Sequence, residues 1–205
     1  MSAKPDMSTR FRGYLPVVVD FETGGFDPMH HALLEVGMVH VGFNGDRLEP
    51  TRGWRKAIAA YPGSSIDPAS LKVTGIDPDD PERGAVDEKT ALQEMFADVR
   101  VAMKAANCQR AIMVAHNAAF DQQFLTVAVH RNELKRSPFH PFSFIDTASL
   151  AAVAFGHTVL SEACRRADIA FDNSRAHSAL YDAERAAELF CEVVNRFGPL
   201  ELAQS

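Results

Sequence analysis

The sequence predicts an α/β protein built on one mixed five-stranded sheet with helices on both faces. Three observations point there. Two apolar runs, Val17-Val18-Val19 and Ala111-Ile112-Met113-Val114-Ala115, have the uninterrupted character of strands buried on both sides. The first three strands are joined by short turns, as in an antiparallel meander. Beyond them strands alternate with helices, the order that lays helices over a sheet.

The first strand ends in charge. Val17-Val18-Val19 runs into Asp20-Phe21-Glu22, and strand alternation puts Asp20 and Glu22 on one face with Phe21 opposed. Thr23, Gly24 and Gly25 then break the strand, and glycine lets backbone approach a ligand closely. Alone, an Asp-x-Glu reads as two solvated acids at a strand end. Two hard oxygen donors on a rigid element also suit Mg²⁺ or Mn²⁺. A second strand spans 33–41, Asn44-Gly45 is a hairpin signal, and a third strand follows over 51–58. Residues 64–83 are rich in Pro, Asp and Gly, with a short helical piece at 68–73. Residues 88–106 form an amphipathic helix with Leu92, Met95, Phe96, Val99 and Met103 on one face. The strand at 111–115 passes through His116-Asn117 into a helix over 118–131. A last strand at 142–146 precedes helices at 147–155, 158–168 and 178–197. The final helix turns Leu180, Ala183, Ala187, Phe190, Cys191 and Val194 inward. Residues 1–9 read as a mobile start to a single domain.

The 205 residues, 46% hydrophobic and 23% charged, suit one globular domain. A net charge of −6 means that any nucleic acid must be held by a local basic patch. Cys108, Cys164 and Cys191 lack paired metal spacing and read as reduced thiols of a cytoplasmic protein. The first ten residues carry no apolar signal segment, and no run reaches membrane-spanning length, so no membrane partner is expected.

Two further acids stand near predicted helix starts: Asp121 in His116-Asn117-Ala118-Ala119-Phe120-Asp121, and Asp182 in His177-Ser178-Ala179-Leu180-Tyr181-Asp182. Singly, each is an acid that the helix dipole favours, and His177 is one surface histidine among eight. Together with Asp20 and Glu22 they resemble the histidine-bearing branch of the DEDD exonuclease superfamily. Its three motifs match Asp20-x-Glu22-Thr23, Asn117-Ala118-x-Phe120-Asp121 and His177-x-Ala179-x-x-Asp182, in order. Arg10-Phe11-Arg12-Gly13, the run from Arg110 to Asn117, that from Lys135 to Phe142 and that from His177 to Asp182 are similar to the ribonuclease T family. The similarity covers residues 10–197. It implies a ribonuclease H-like fold and a metal-dependent 3′–5′ exoribonuclease releasing 5′-mononucleotides. It further implies RNA with a single-stranded 3′ end as substrate, especially tRNA, and a homodimer. Single-stranded DNA is an expected second substrate.

The chemistry agrees with that implication. Two divalent ions about 4 Å apart activate a water and stabilise both oxygens of an in-line phosphoryl displacement. Asp20 is placed to bridge two Mg²⁺ (Mn²⁺ as the alternative), with Glu22, Asp121 and Asp182 completing the sites. Histidine is the residue type suited to a general base near neutral pH, and His177 is the candidate. On a helix it would stand about 140° from Asp182, so it belongs on the loop before the helix. Phe26, Phe120 and Phe142 read as core by default. The resemblance instead implies that they sandwich the 3′-terminal bases, with Thr23 beside them. The family's further phenylalanine and glutamate are matched here by Val73 and Ala69, which puts arrest at terminal cytosine in question. Arg10, Arg12, Arg110, Lys135 and Arg136 read as ordinary solubilising charge, or as a nucleic-acid patch. Arg12 precedes Asp20 by an extended run of up to about 25 Å, so a patch there would serve the opposite subunit of a twofold dimer. The competing readings are a proofreading DNA exonuclease subunit, a catalytically idle nucleic-acid-binding module and a phosphoesterase of small nucleotides.

Overall fold

The computed structural model describes residues 6–197. Among them one five-stranded sheet has the order β3-β2-β1-β4-β5. At its centre β1 (Tyr14–Thr23) runs antiparallel to β2 (Leu33–Asn44) and parallel to β4 (Arg110–Ala115). β3 (Arg47–Ala57) returns along β2 after a turn at Gly45, whose φ of 62° glycine adopts without strain. β5 (Phe139–Asp146) lies parallel to β4 at the other edge. The helices are α1 (Pro68–Thr74), α2 (Glu88–Ala105), α3 (Ala118–Arg131), α4 (Thr147–Phe155), α5 (Leu160–Arg166) and α6 (Ala179–Phe197). Asp67, Asp87 and Asp146 cap α1, α2 and α4 through their carboxylates, each cap being worth about 1 kcal/mol.

Alternation along β2 shows why both faces are covered. Glu35 and Gly37 meet the start of α6, whereas His40 bonds Asp98 of α2 over 2.6 Å. Val17, Val18 and Val19 of β1, which point to both faces in turn, are fully buried. Each such side chain contributes about 1.5–3 kcal/mol. A run without a polar face therefore takes the centre of the sheet, and the polar β3 takes an edge.

Differences from the sequence reading have local causes. β3 begins at Arg47 because residues 47–50 pair with β2 despite their polarity, as an edge strand allows. β5 begins at Phe139, which pairs with Ala111, while Phe144 pairs with Met113. Five steps on β5 thus oppose two on β4, and residues 140–143 arch out of the ladder. Of the expected mobile start, residues 1–5 lie outside the described residues. Residues 6–9 instead form a turn, with Thr9 and Arg10 donating to the Asp6 carbonyl and Met7 packed into the core. In α6, Leu180 and Val194 are half-buried, and Tyr181 and Ala186 take buried places beside the expected residues. Cys108, Cys164 and Cys191 are free and buried. No helix among the described residues is long and apolar enough to cross a membrane.

Candidate active site

The acids stand at the C-terminal end of β1. Asp20 pairs with Gly37 and Glu22 with Glu35 across the β1–β2 ladder, and directly paired residues share a face. That face looks toward α6. Gly37 lets α6 come close: a Cβ there would lie 2.2 Å from the carbonyl carbon and oxygen of Ala179. Asp182, in the first turn of α6, is thereby brought to the strand. One carboxylate oxygen from each of Asp20, Glu22 and Asp182 lies within 4.8 Å of the others. Asp121, in the first turn of α3, joins them in a cleft of about 300 Å³, where its Oδ1 accepts the Phe21 N–H at 3.0 Å. His177 lines the same cleft from the loop before α6, with φ of 65°, and its backbone N–H donates to Asp182 Oδ2 at 2.9 Å.

Crowding and burial make these acids reluctant to ionise. Burial raises the Asp20 carboxyl well above the usual range, and the charges of Asp121, Glu22, Asp182 and Glu35 push it further. Glu22 is pushed up to about 8 by burial and then by Asp182, Glu35 and Asp121. Asp121 rises to about 7, burial outweighing the hydrogen bond from Phe21. Asp182 is raised by burial against the lowering effect of the His177 N–H, and its Oδ1 is buried without a hydrogen-bond partner. An all-oxygen donor set that resists ionisation, with one orphaned oxygen, fits a hard divalent cation.

The structure brings two of the three phenylalanines to this cleft. Phe26 is 82% exposed and stands edge-on to the half-buried Phe120, ring centroids 6.2 Å apart. Phe142, also exposed, rides the arch of β5 against His140 and does not line the cleft. The Thr23 hydroxyl donates to the Gly25 carbonyl at 2.7 Å, so it braces the loop that carries Phe26. Val73, on α1, is exposed, while Ala69 donates its N–H to the capping Asp67.

The basic residues gather at the opposite end of the sheet. Tyr14 and Arg110 are register partners at the starts of parallel β1 and β4. Arg12 lies over the Tyr14 ring at 5.2 Å and Arg10 over Phe11 at 5.5 Å. Arg110 and Arg136 line one groove of about 280 Å³ with Gln122 and His140, and Lys135 is exposed beside it. Six steps along β1, about 20 Å at strand rise, separate Tyr14 from Asp20.

Asp146 and His116 were not singled out by the sequence reading, though both shape the cleft. Asp146 Oδ1 accepts the N–H groups of Asn117 and Ala118 while the carboxylate caps α4, tying the starts of α3 and α4 together. The His116 ring is held between Thr147 Oγ1 and the Thr158 carbonyl. The available signal was an aspartate at a strand end directly before a helix.

The family model described as "Exonuclease" (RNase_T) matches residues 17–190. The chain is 55% identical over 192 residues to ribonuclease T of Shewanella frigidimarina, covering 93% of this chain and 87% of that one. It is 50% identical over 200 residues to ribonuclease T of Hahella chejuensis, covering 96% and 91%. Among solved structures, the nuclease domain of 3′hExo, a DEDDh family member bound to rAMP, superposes with a TM-score of 0.68 at 16% identity, covering 88% and 92%. The zinc-bound E. coli ExoI–ssDNA complex gives 0.67 at 15% identity, covering 89% of this chain and 41% of that one. The two solved structures share the ribonuclease H-like exonuclease fold with this chain, and residues 17–190, the span of the family model, include the segments that carry the cleft. The chain belongs to the ribonuclease T family of exonucleases and is a 3′–5′ exoribonuclease.

Proposed function

We propose that the chain trims the single-stranded 3′ ends of structured RNA, transfer RNA foremost, as a cytoplasmic homodimer using two Mg²⁺, with Mn²⁺ as the alternative. Single-stranded DNA is its second substrate. The observation that carries this reading is the convergence of the Asp20, Glu22 and Asp182 oxygens within 4.8 Å, in the cleft that Phe26 and Phe120 flank. Asp20, Glu22, Asp121 and Asp182 would hold the ions. When bound, the ions supply activation of a water and stabilisation of the attacking and leaving oxygens. The protein does the remainder. Phe26 and Phe120 stack the terminal bases, at about 1–3 kcal/mol per base, which requires bases free of a duplex. The His177 imidazole takes the proton from the attacking water, while its tethered backbone keeps the loop beside Asp182. Arg10, Arg12, Arg110, Lys135 and Arg136 stand too far along β1 and β4 to grip the reacting nucleotide. They hold the RNA body for the partner subunit's cleft, as a twofold operator permits.

The test is digestion of 3′-labelled single-stranded RNA, stem-tailed RNA and single-stranded DNA, with Mg²⁺ and with EDTA. Stepwise release of 5′-mononucleotides from the RNA tails in Mg²⁺, and none in EDTA, is expected. DNA turnover with resistant RNA would favour the proofreading reading. RNA binding without turnover would favour an idle module.

A further inference from the structure

Glu35 is a carboxylate inside an apolar strand, 2% exposed, directly across the ladder from Glu22. It adds a fifth negative charge beside four acids that already repel one another, so its presence there needs a reason. Both of its oxygens are committed. Oε1 accepts the backbone N–H of Ala179 at 3.1 Å, and Oε2 meets Arg55 Nη2 of β3 at 2.5 Å. Ala179 is the first residue of α6, where N–H groups lack a partner within the helix and the dipole favours an anion. His177 lies two residues before that contact and Asp182 three after it. On the same strand Gly37 abuts the Ala179 carbonyl. The start of α6 is therefore pinned to β2 at the level of Asp20 and Glu22.

We propose that Glu35 is a positioning residue of the nuclease site. By capping α6 from the neighbouring strand, with Arg55 fixing its second oxygen, it holds Asp182 and His177 in place against Asp20 and Glu22. With both oxygens engaged, Glu35 is not itself a cation ligand. Arg55 is about half exposed, and ion pairs open to solvent are weak, so the effect resides in the cap. This role rests on the exonuclease reading above.

The experiment compares wild type, Glu35→Ala and Glu35→Gln in kcat and KM for a single-stranded RNA. Mn²⁺ affinity is measured in parallel by calorimetry on the protein without RNA. In Glu35→Ala both kcat and Mn²⁺ affinity fall by about 10–100-fold, the usual effect of losing a group that orients ligands, while KM stays near wild type. Glu35→Gln, whose amide oxygen still accepts from Ala179, restores both. Unchanged kcat and Mn²⁺ affinity in Glu35→Ala would overturn the proposal, as would a Glu35→Gln variant equally impaired. If Glu35→Ala fails to fold, Ala179→Pro takes its place, because proline suits the first position of a helix and lacks the N–H donor. Wild-type behaviour of that variant would likewise overturn the role. A wild type without Mg²⁺-dependent RNA cleavage would count against the exonuclease reading alone, since the Mn²⁺ comparison still reports on the cap.

Discussion

Five residues apart, the His177 backbone and the Asp182 carboxylate are joined: the N–H of the first donates to Oδ2 of the second at 2.9 Å. The bond is indifferent to what side chain residue 177 carries. His177→Ala therefore removes the imidazole and leaves Asp182 in place. We expect kcat to fall by about 10²–10⁴-fold, the range of general-base assistance, with RNA affinity unchanged. Single-turnover rates and binding measured in EDTA separate the two. A mutant that binds poorly yet turns over normally at saturation would make His177 a substrate contact.

Asp20→Asn should abolish turnover, because it removes the charge of one of the acids proposed to hold the two ions. It should also raise the melting temperature of the metal-free protein, since it removes one of several charges crowded in a buried cleft. Residual activity above a few per cent of wild type would defeat the two-ion assignment.

The same crowding sets a pH dependence. Glu22 moves from 4.5 to about 8 in the fold, and Asp121 from 3.8 to about 7. Between the ordinary and the raised values the folded chain binds more protons than the unfolded chain, so stability falls as pH rises. The metal-free protein should melt progressively lower between pH 5 and 8. Saturating Mg²⁺ should flatten or reverse that slope by binding the ionised form. A melting temperature in EDTA that climbs over this interval would contradict it.

End preference should follow Ala69 and Val73. If these replace a base-reading carboxylate and a stacking ring, terminal cytosine will slow this enzyme less than a relative that has both. Stepwise digestion of RNAs differing in the last base measures this. Equal arrest at cytosine would show that α1 does not set the preference.

Action across subunits predicts complementation. Asp20→Asn mixed with a variant lacking Arg12, Arg110 and Lys135 should recover activity through mixed dimers that carry one intact composite site. No recovery after verified subunit exchange would refute it.

Periodicity and local punctuation made much of this structure legible. The apolar runs at 17–19 and 111–115 place β1 and β4, and alternation puts Asp20 and Glu22 on one face, because both effects act within a few residues. The sequence pattern starts β3 four residues late because Arg47, Glu49 and Pro50 look like loop, and only pairing with β2 makes them strand. The resemblance puts Phe142 among the rings that sandwich the terminal bases, whereas the structure sets it on the arch of β5, outside the cleft. Its arch depends on the β4–β5 register, which no local pattern encodes. Glu35 carried a signal in plain view, a charge within Leu33-Leu34-Glu35-Val36-Gly37. Its partner, Ala179, is 144 residues away and could be named only from the fold.

Gly37 gives that distance a meaning in time. The last helix of the described chain seats its first residue on the second strand, and only then does Asp182 reach Asp20. Synthesis runs from the N-terminus, so a nascent chain stopped before residue 177 carries Asp20, Glu22 and Asp121 but neither His177 nor Asp182. It is expected to fold its meander without cutting RNA. A chain whose final helix arrives last cannot digest the message, or the transfer RNAs, from which it is still being made. Stalled chains released before and after residue 197 and assayed for nuclease activity would show that delay directly.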